Sequence, residues 1–243
     1  MLFSPQILVR NTPKVSTGGS LGLQTNLGSF FSLDNTLSDS TGAVSDLTNN
    51  NTVTFVSSTP TPPSAVTNSA KFVSASSQYL SHADATGINV AGIDFSIQVW
   101  FYVTNSTRTF ASKNTGAFGS REYSIDYTFG SGGSNPVQWT TASSGATSTG
   151  NVTINAWHHF VVTYNATSNA LTIYIDGASA ATATAANDPA GTSTLHIGAN
   201  STPGGYLDGN LCLYGTWRNR ILSASDVTAL YNSGNGLSYA AMA

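Results

Sequence analysis

The sequence predicts an all-β chain, a two-sheet antiparallel β-sandwich closed by one short C-terminal helix. Three observations carry this. Short β-rich runs recur from Phe30 onward between clusters of Gly, Asn, Ser and Pro, the spacing of sandwich or jelly-roll strands. Charged residues make up only 8% of the 243 residues against 40% hydrophobic, about a third of the ~25% charge usual in globular domains, so Ser, Thr, Asn and Gly must supply the polar surface. No internal repeat is visible, which argues against a propeller or solenoid.

Residues 1–25, with Pro5, Pro13 and Thr17-Gly18-Gly19-Ser20, read as an extended arm without core periodicity, and 26–243 as one sandwich domain. Early strands are expected at Thr52–Ser57, Ala70–Val73 and Tyr79–His82, with the Pro-rich stretch 59–63 as a loop. Phe95, Ile97, Val99, Phe101 and Val103 alternate with Ser96, Gln98, Trp100 and Tyr102, and both faces are apolar enough for a central strand. Further strands are expected at Glu122–Phe129, Val137–Ala142, Trp157–Tyr164, Leu171–Asp176, Thr194–Gly198 and Leu207–Trp217. Ser223 or Ser225 can cap a helix through Tyr231, with Asp226 in its first turn and Gly234 and Gly236 ending it.

Composition excludes several functions. Eight Lys plus Arg against eleven Asp plus Glu give a net charge of -3 with no basic run, so nucleic acid is not an expected partner. No run reaches the ~18 apolar residues of a membrane span, and the first residues lack a signal peptide's apolar stretch. A soluble protein made in the cytoplasm without Sec-type export is expected. Cys212, the one cysteine, reads as a small buried apolar residue.

Several motifs carry a resemblance. Asp94-Phe95-Ser96-Ile97-Gln98-Val99-Trp100, the run Trp157-His158-His159-Phe160-Val161-Val162-Thr163-Tyr164, the hairpin Leu171-Thr172-Ile173-Tyr174-Ile175-Asp176-Gly177, and the closing Leu207-Asp208-Gly209-Asn210-Leu211 with Arg220–Asp226 and Ala229–Asn232 stand in family order. Together they resemble the laminin G-like group of the concanavalin A-like lectin/glucanase superfamily, over roughly residues 26–239. The resemblance implies a lectin-like jelly roll of the kind found in phage and bacterial surface proteins. Most of these residues read as fold-makers: Asp176-Gly177 as a hairpin turn, Trp100 and Trp157 as core aromatics, Asp208-Gly209 as a tight corner.

For glycan cleavage on this fold two carboxylates must flank the scissile bond, and with Glu122 the one glutamate the nearest echo is Glu122 with Asp126. A solvated or salt-bridged face beside Arg121 is the expected role of that pair, and the chain is expected not to be an enzyme. His158 and His159 project to opposite strand faces and cannot chelate one ion; His82 and His196 stand alone. Calcium would need hard oxygen ligands, and the loop Gly198–Tyr206, where the resemblance would place them, has no acidic residue. Neither metal nor other cofactor is therefore expected. For sugar binding the aromatics to examine are Tyr123, Tyr127, Trp139 and Tyr206, with Asn200 and Asn114 beside them. Asn200, Tyr206, Trp139 and Tyr127 are the expected ligand residues, although alternation gives Tyr123, Ile125, Tyr127 and Phe129 one buried face.

Three functions follow, in order. The first is a structural or decorating protein on the surface of a virus particle, of a phage, multicopy or homo-oligomeric, docking other particle proteins through Ile7, Leu8 and Val9 of its arm and displaying a lectin-like domain to cell-surface glycans. The second is a free-standing extracellular carbohydrate-binding module for adhesion. A glycoside hydrolase ranks last.

Overall fold

The computed structural model describes residues 20–104, 108–114, 121–128, 135–141, 145–147, 152–184, 191–201 and 204–243. Its strands are β1 (Leu27–Phe31), β2 (Thr48–Asn50), β3 (Thr54–Val56), β4 (Ser69–Phe72), β5 (Tyr79–His82), β6 (Phe95–Val103), β7 (Arg108–Asn114), β8 (Arg121–Tyr127), β9 (Val137–Thr140), β10 (Gly145–Thr147), β11 (Trp157–Asn165), β12 (Ala170–Ile175), β13 (Ala178–Thr184), β14 (Leu195–Ile197) and β15 (Gly209–Arg218), followed by one helix, α1 (Ala224–Tyr231). They form two antiparallel sheets. The first runs β13-β12-β11-β6-β15-β4-β3 with β1 added beside β15, and the second β10-β9-β8-β7-β14-β5-β2. This is the expected sandwich.

The core lies between the sheets, where β6 sits centrally, flanked by β11 and β15. Its two-sided hydrophobicity has the expected cause. Phe95, Ile97, Val99, Phe101 and Val103 point at the second sheet: the Phe95 ring lies 5.4 Å from that of Trp139, and Phe101 stacks on Phe110 at 4.4 Å. The other face, bearing Ser96, Gln98 and Trp100, is roofed by the C-terminal segment. Leu222 N–H donates to Ser96 Oγ (2.9 Å), and Tyr231 of α1 stacks on Trp100 at 5.7 Å. Cys212, paired with Trp100 across the ladder, is buried under that roof, and burial pushes its thiol up.

Local signals explain the elements and correct some expectations. Asp176 and Gly177 both have positive φ, 51° and 81°, the requirement of a type I′ turn, and they join β12 to β13. The Asp176 carboxylate does more than turn the chain: it accepts the His159 N–H at 2.8 Å and holds His158 Nδ1 at 2.7 Å. Ser223 caps α1 in a reciprocal capping box with Asp226. The helix ends at Tyr231 as expected, but the residue that stops it is Asn232, in left-handed conformation (φ 47°), ahead of Gly234. Gly209 is not a corner but the first residue of β15, and it must be glycine because a Cβ there would fall 2.1 Å from the Tyr102 carbonyl oxygen. Trp157 is not a core aromatic either: it pairs with Tyr102 on the outward face of the first sheet and is half-buried.

Residues 20–25 belong to the sandwich: Leu21 and Leu23 N–H groups bond the Ala243 and Met242 carbonyls at 2.8 and 2.9 Å, Leu23 is buried, and Trp217 Nε1 donates to its carbonyl at 2.6 Å. The cause is pairing with the C-terminal tail, which periodicity within residues 1–25 does not reveal. Ile7, Leu8 and Val9 lie outside the described residues.

Candidate functional site

The second sheet has one apolar and one polar face. Trp139, Ile125, Ala111, Ile197 and Leu80 stand opposite one another across five strands and are buried in the core. The alternate residues, Thr140, Ser124, Ser112, His196, Ser81 and Thr48, therefore form a polar row on the face turned away from it.

At one end of this face the chain leaving β14 folds back over β7. Gly198 N–H donates to the Phe110 carbonyl (2.8 Å), Ser112 Oγ to the Ala199 carbonyl (3.1 Å) and Thr109 N–H to the Gly205 carbonyl (3.3 Å), while Asn200 N–H closes the loop on the Gly204 carbonyl at 3.0 Å. A Cβ on Gly205 would stand 3.4 Å from Asn200 Nδ2 and 3.5 Å from Thr109 Oγ1, so the amide and the hydroxyl flank that glycine. Thr109 Oγ1 in turn donates to Asp126 Oδ1 at 2.7 Å. Tyr79 of β5 completes the group, its ring 6.2 Å from that of Tyr206 and 5.5 Å from that of His196.

Two polar atoms here are buried without a hydrogen bond, His196 Nδ1 and Asn200 Oδ1. Buried polar atoms are ordinarily satisfied, and leaving one bare costs about 1–3 kcal/mol. Burial also lowers the His196 pKa, the Thr194 backbone opposing in part, so the ring is neutral at pH 7. Tyr79 and Tyr206 are both half-buried and present aromatic surface beside these groups.

Of the expected ligand residues, the structure brings Asn200 and Tyr206 together and sets Tyr127 and Trp139 apart. The latter two are core residues: Tyr127 packs against Phe110 at 6.3 Å, and Trp139 lies between Phe95 and Tyr123, 4.9 Å from the latter. The alternation that buries Ile125 buries them too, so neither offers a ring face to a sugar. Tyr123 is likewise internal, its hydroxyl 2.8 Å from that of Tyr214 across the sandwich, and Asn114 sits at the other end of β7. Phe129 lies outside the described residues. Sequence reasoning passed over Tyr79 and took His196 for an ordinary strand histidine. The available signal was the alternation of Tyr79 with Leu80 in a strand whose bounds were correctly expected.

Glu122 and Asp126 are directed to different partners, the Asp126 carboxylate accepting from Thr109 Oγ1 at 2.7 Å. β8 carries an extra residue at Glu122 relative to β7, and the Glu122 carboxylate turns to the fully buried Lys113 (3.4 Å), which also pairs with Asp84 at 2.5 Å. Of the expected solvated or salt-bridged face beside Arg121, Glu122 takes the salt bridge, but buried and with Lys113 as its partner. His158 and His159 do diverge, the first to Asp176, the second to Gln98 Oε1 at 3.0 Å. Among the described residues no three His, Cys, Asp or Glu side chains gather as a metal site.

The comparisons agree with this architecture. The family model of the concanavalin A-like lectin/glucanases superfamily matches residues 74–228. None of the curated proteins compared matches the sequence. Among solved structures the chain is similar to domain 4 of AbnA, a GH43 extracellular arabinanase from Geobacillus stearothermophilus, in complex with arabinotriose (18% identity, 84% of this chain and 97% of that one, TM-score 0.63). It is also similar to the binding domain of Paraclostridial mosquitocidal protein 1 (16% identity, 87% and 53%, TM-score 0.68) and to Trypanosoma rangeli sialidase (16% identity, 96% and 36%, TM-score 0.64). It spans nearly all of the arabinanase domain but about half of the toxin domain and about a third of the sialidase; at these identities the likeness is one of fold. With its sandwich topology and this match over most of its length, the chain belongs to the concanavalin A-like lectin/glucanase superfamily.

Proposed function

We propose that this is a non-enzymatic carbohydrate-binding domain that takes a glycan at the end of its second sheet, over Tyr79, Tyr206, His196 and Asn200. The observation that carries the reading is the pair of bare polar atoms, His196 Nδ1 and Asn200 Oδ1, beside two half-buried tyrosine rings. A sugar offers what this group lacks: hydroxyls that donate and accept, and C–H faces that pack on aromatic rings. Asp126, oriented by the Thr109 hydroxyl, adds a charge-assisted acceptor. The arabinotriose in the AbnA domain supports a sugar on this fold. Binding rather than cleavage is supported by the pairing of the Glu122 carboxylate with the buried Lys113 while Asp126 is tied to Thr109.

We propose further that the domain is displayed on the surface of a phage particle, held by Ile7, Leu8 and Val9 against neighbouring particle proteins; the support is the apolar run in residues 1–19. The binding reading is tested by a glycan array on the full chain, with and without calcium, followed by calorimetry of the best hit against Tyr206→Ala and Asn200→Ala. Specific binding that both variants weaken at least ~tenfold, about 1.4 kcal/mol, is expected. Binding unchanged in both variants, or no binding by the folded protein, overturns it.

A further inference from the structure

The outward face of the first sheet is roofed by α1 over Trp100 and His159 but open one step along, over Tyr102. A recess of about 200 Å³ lies there, lined by Tyr102, Lys71, Asp208, Asn210, Thr104 and Pro60 among others. We propose that it is a second, separate sugar subsite that takes a single uncharged pyranose ring. It does not depend on the site at the end of the second sheet.

Lys71, Asn210 and Tyr102 form one cross-strand row, and Trp157 extends it, its ring 5.9 Å from that of Tyr102. The floor is fixed by the close strand approach that requires glycine at 209. The side chains are braced from behind. Thr104 Oγ1 leans on Asp208, 3.3 Å from its carbonyl and 3.4 Å from Oδ2, and Asn210, only 3% exposed, donates to Ser69 Oγ at 3.1 Å. Lys71 and Asp208 line the same recess yet share no ion pair, the carboxylate's tie being to Thr104.

An ammonium and a carboxylate held apart across one recess match vicinal hydroxyls, one accepting from Lys71 and its neighbour donating to Asp208, while the sugar's C–H face packs on Tyr102. The volume falls below the ~300 Å³ at which drug-sized pockets begin, which limits the occupant to one ring. Charge limits it further: the charge of a uronic acid or an amino sugar would be attracted by one of Lys71 and Asp208 and repelled by the other within the same small recess, and so would lose its hydration for no net gain.

The test is amide chemical-shift titration of the full chain with methyl glycosides of neutral hexopyranoses, glucuronic acid and glucosamine, repeated in Tyr102→Ala, Lys71→Ala and Tyr206→Ala. A neutral glycoside is expected to shift the amides of Lys71, Asp208 and Asn210 with a Kd on the order of millimolar. Tyr102→Ala and Lys71→Ala each weaken this about tenfold, and Tyr206→Ala leaves it unchanged. Lys71 is exposed, so its variant folds even where the Tyr102 variant does not. The proposal is overturned by the absence of shifts at those amides, by shifts that persist at full affinity in Lys71→Ala, or by charged sugars binding as well as neutral ones. Loss of the titration in Tyr206→Ala would assign the binding to the other site.

Discussion

Mild acid should weaken this fold chiefly through one buried side chain, His159. It is wholly buried, packed against both Trp100 (ring centroids 5.0 Å) and Tyr231 (6.2 Å), which also touch each other, and one ring nitrogen bonds Gln98 while Nδ1 has no partner. Burial lowers its pKa from 6.5 to about 3, Asp176 opposing in part. Because the folded pKa lies below the unfolded one, the unfolded chain takes up the proton first on acidification. Stability is therefore full above pH 6.5 and falls as pH drops from there toward 3, by about 1.4 kcal/mol per pH unit. Between pH 7.5 and 5.0 the loss is about 2 kcal/mol, or roughly 4–8 °C in Tm for a chain of this size. The lowered pKa of His196 acts in the same direction. Thermal unfolding followed by circular dichroism at pH 7.5, 6.0 and 5.0 should show this drop in the wild type and a shallower one in His159→Gln, which keeps a partner for Gln98. A wild-type Tm unchanged down to pH 5.0, or the same slope in His159→Gln, would refute the reasoning.

Three other perturbations test particular contacts. Ser223→Ala removes the cap of α1 and should cost about 1 kcal/mol in urea unfolding, with Asp226→Ala comparable because the two residues bond reciprocally. Lys113→Met strands two carboxylates, Glu122 almost wholly buried and Asp84 partly exposed, and should cost about 3–5 kcal/mol. Combining it with Glu122→Gln should recover part of that loss in the same denaturation experiment. On the proposed docking role, deleting residues 1–19 should abolish incorporation into particles, and extending the deletion to residue 25 should cost roughly 3–6 kcal/mol more in stability, from the buried Leu23 side chain and the stranded Trp217 Nε1.

The long strands were legible because their periodicity is strong. β6 and β5 begin and end where alternation places them, and β11 and β15 differ from expectation by one or two residues. The strands that escaped notice lack that signal. β13 is Ala-Ser-Ala-Ala-Thr-Ala-Thr with no residue buried, an edge strand positioned by the Asp176-Gly177 turn and its pairing to β12. β7 places Lys113 on the core-facing side beside Tyr123, so a charge sits where alternation calls for an apolar residue. Its partners, Asp84 and Glu122, are 29 and 9 positions away in sequence, and nothing local announces them.

The proposed binding face was less legible for the same physical reason. Tyr127 and Trp139 were candidates by chemistry alone, and the strand alternation that argued against them decides their place. Asn200 and Tyr206 were legible because a Gly-rich loop keeps side chains near the surface. Tyr79 and His196 become a site only through register: β5 and β14 are neighbours, so Ser81 stands opposite His196 and the Tyr79 ring reaches across to it. Register between strands over a hundred residues apart is set by turns and core packing, not by the residues it juxtaposes. The recess over Tyr102 has the same origin. Lys71, Tyr102 and Asn210 come from β4, β6 and β15, and their meeting depends on the glycine at 209 that lets two backbones approach. The Lys71–Asn210–Tyr102 row and the strand-borne pair Tyr79 and His196 are thus cross-strand neighbours seen from outside, and a one-residue slip in either sheet would turn them into the core.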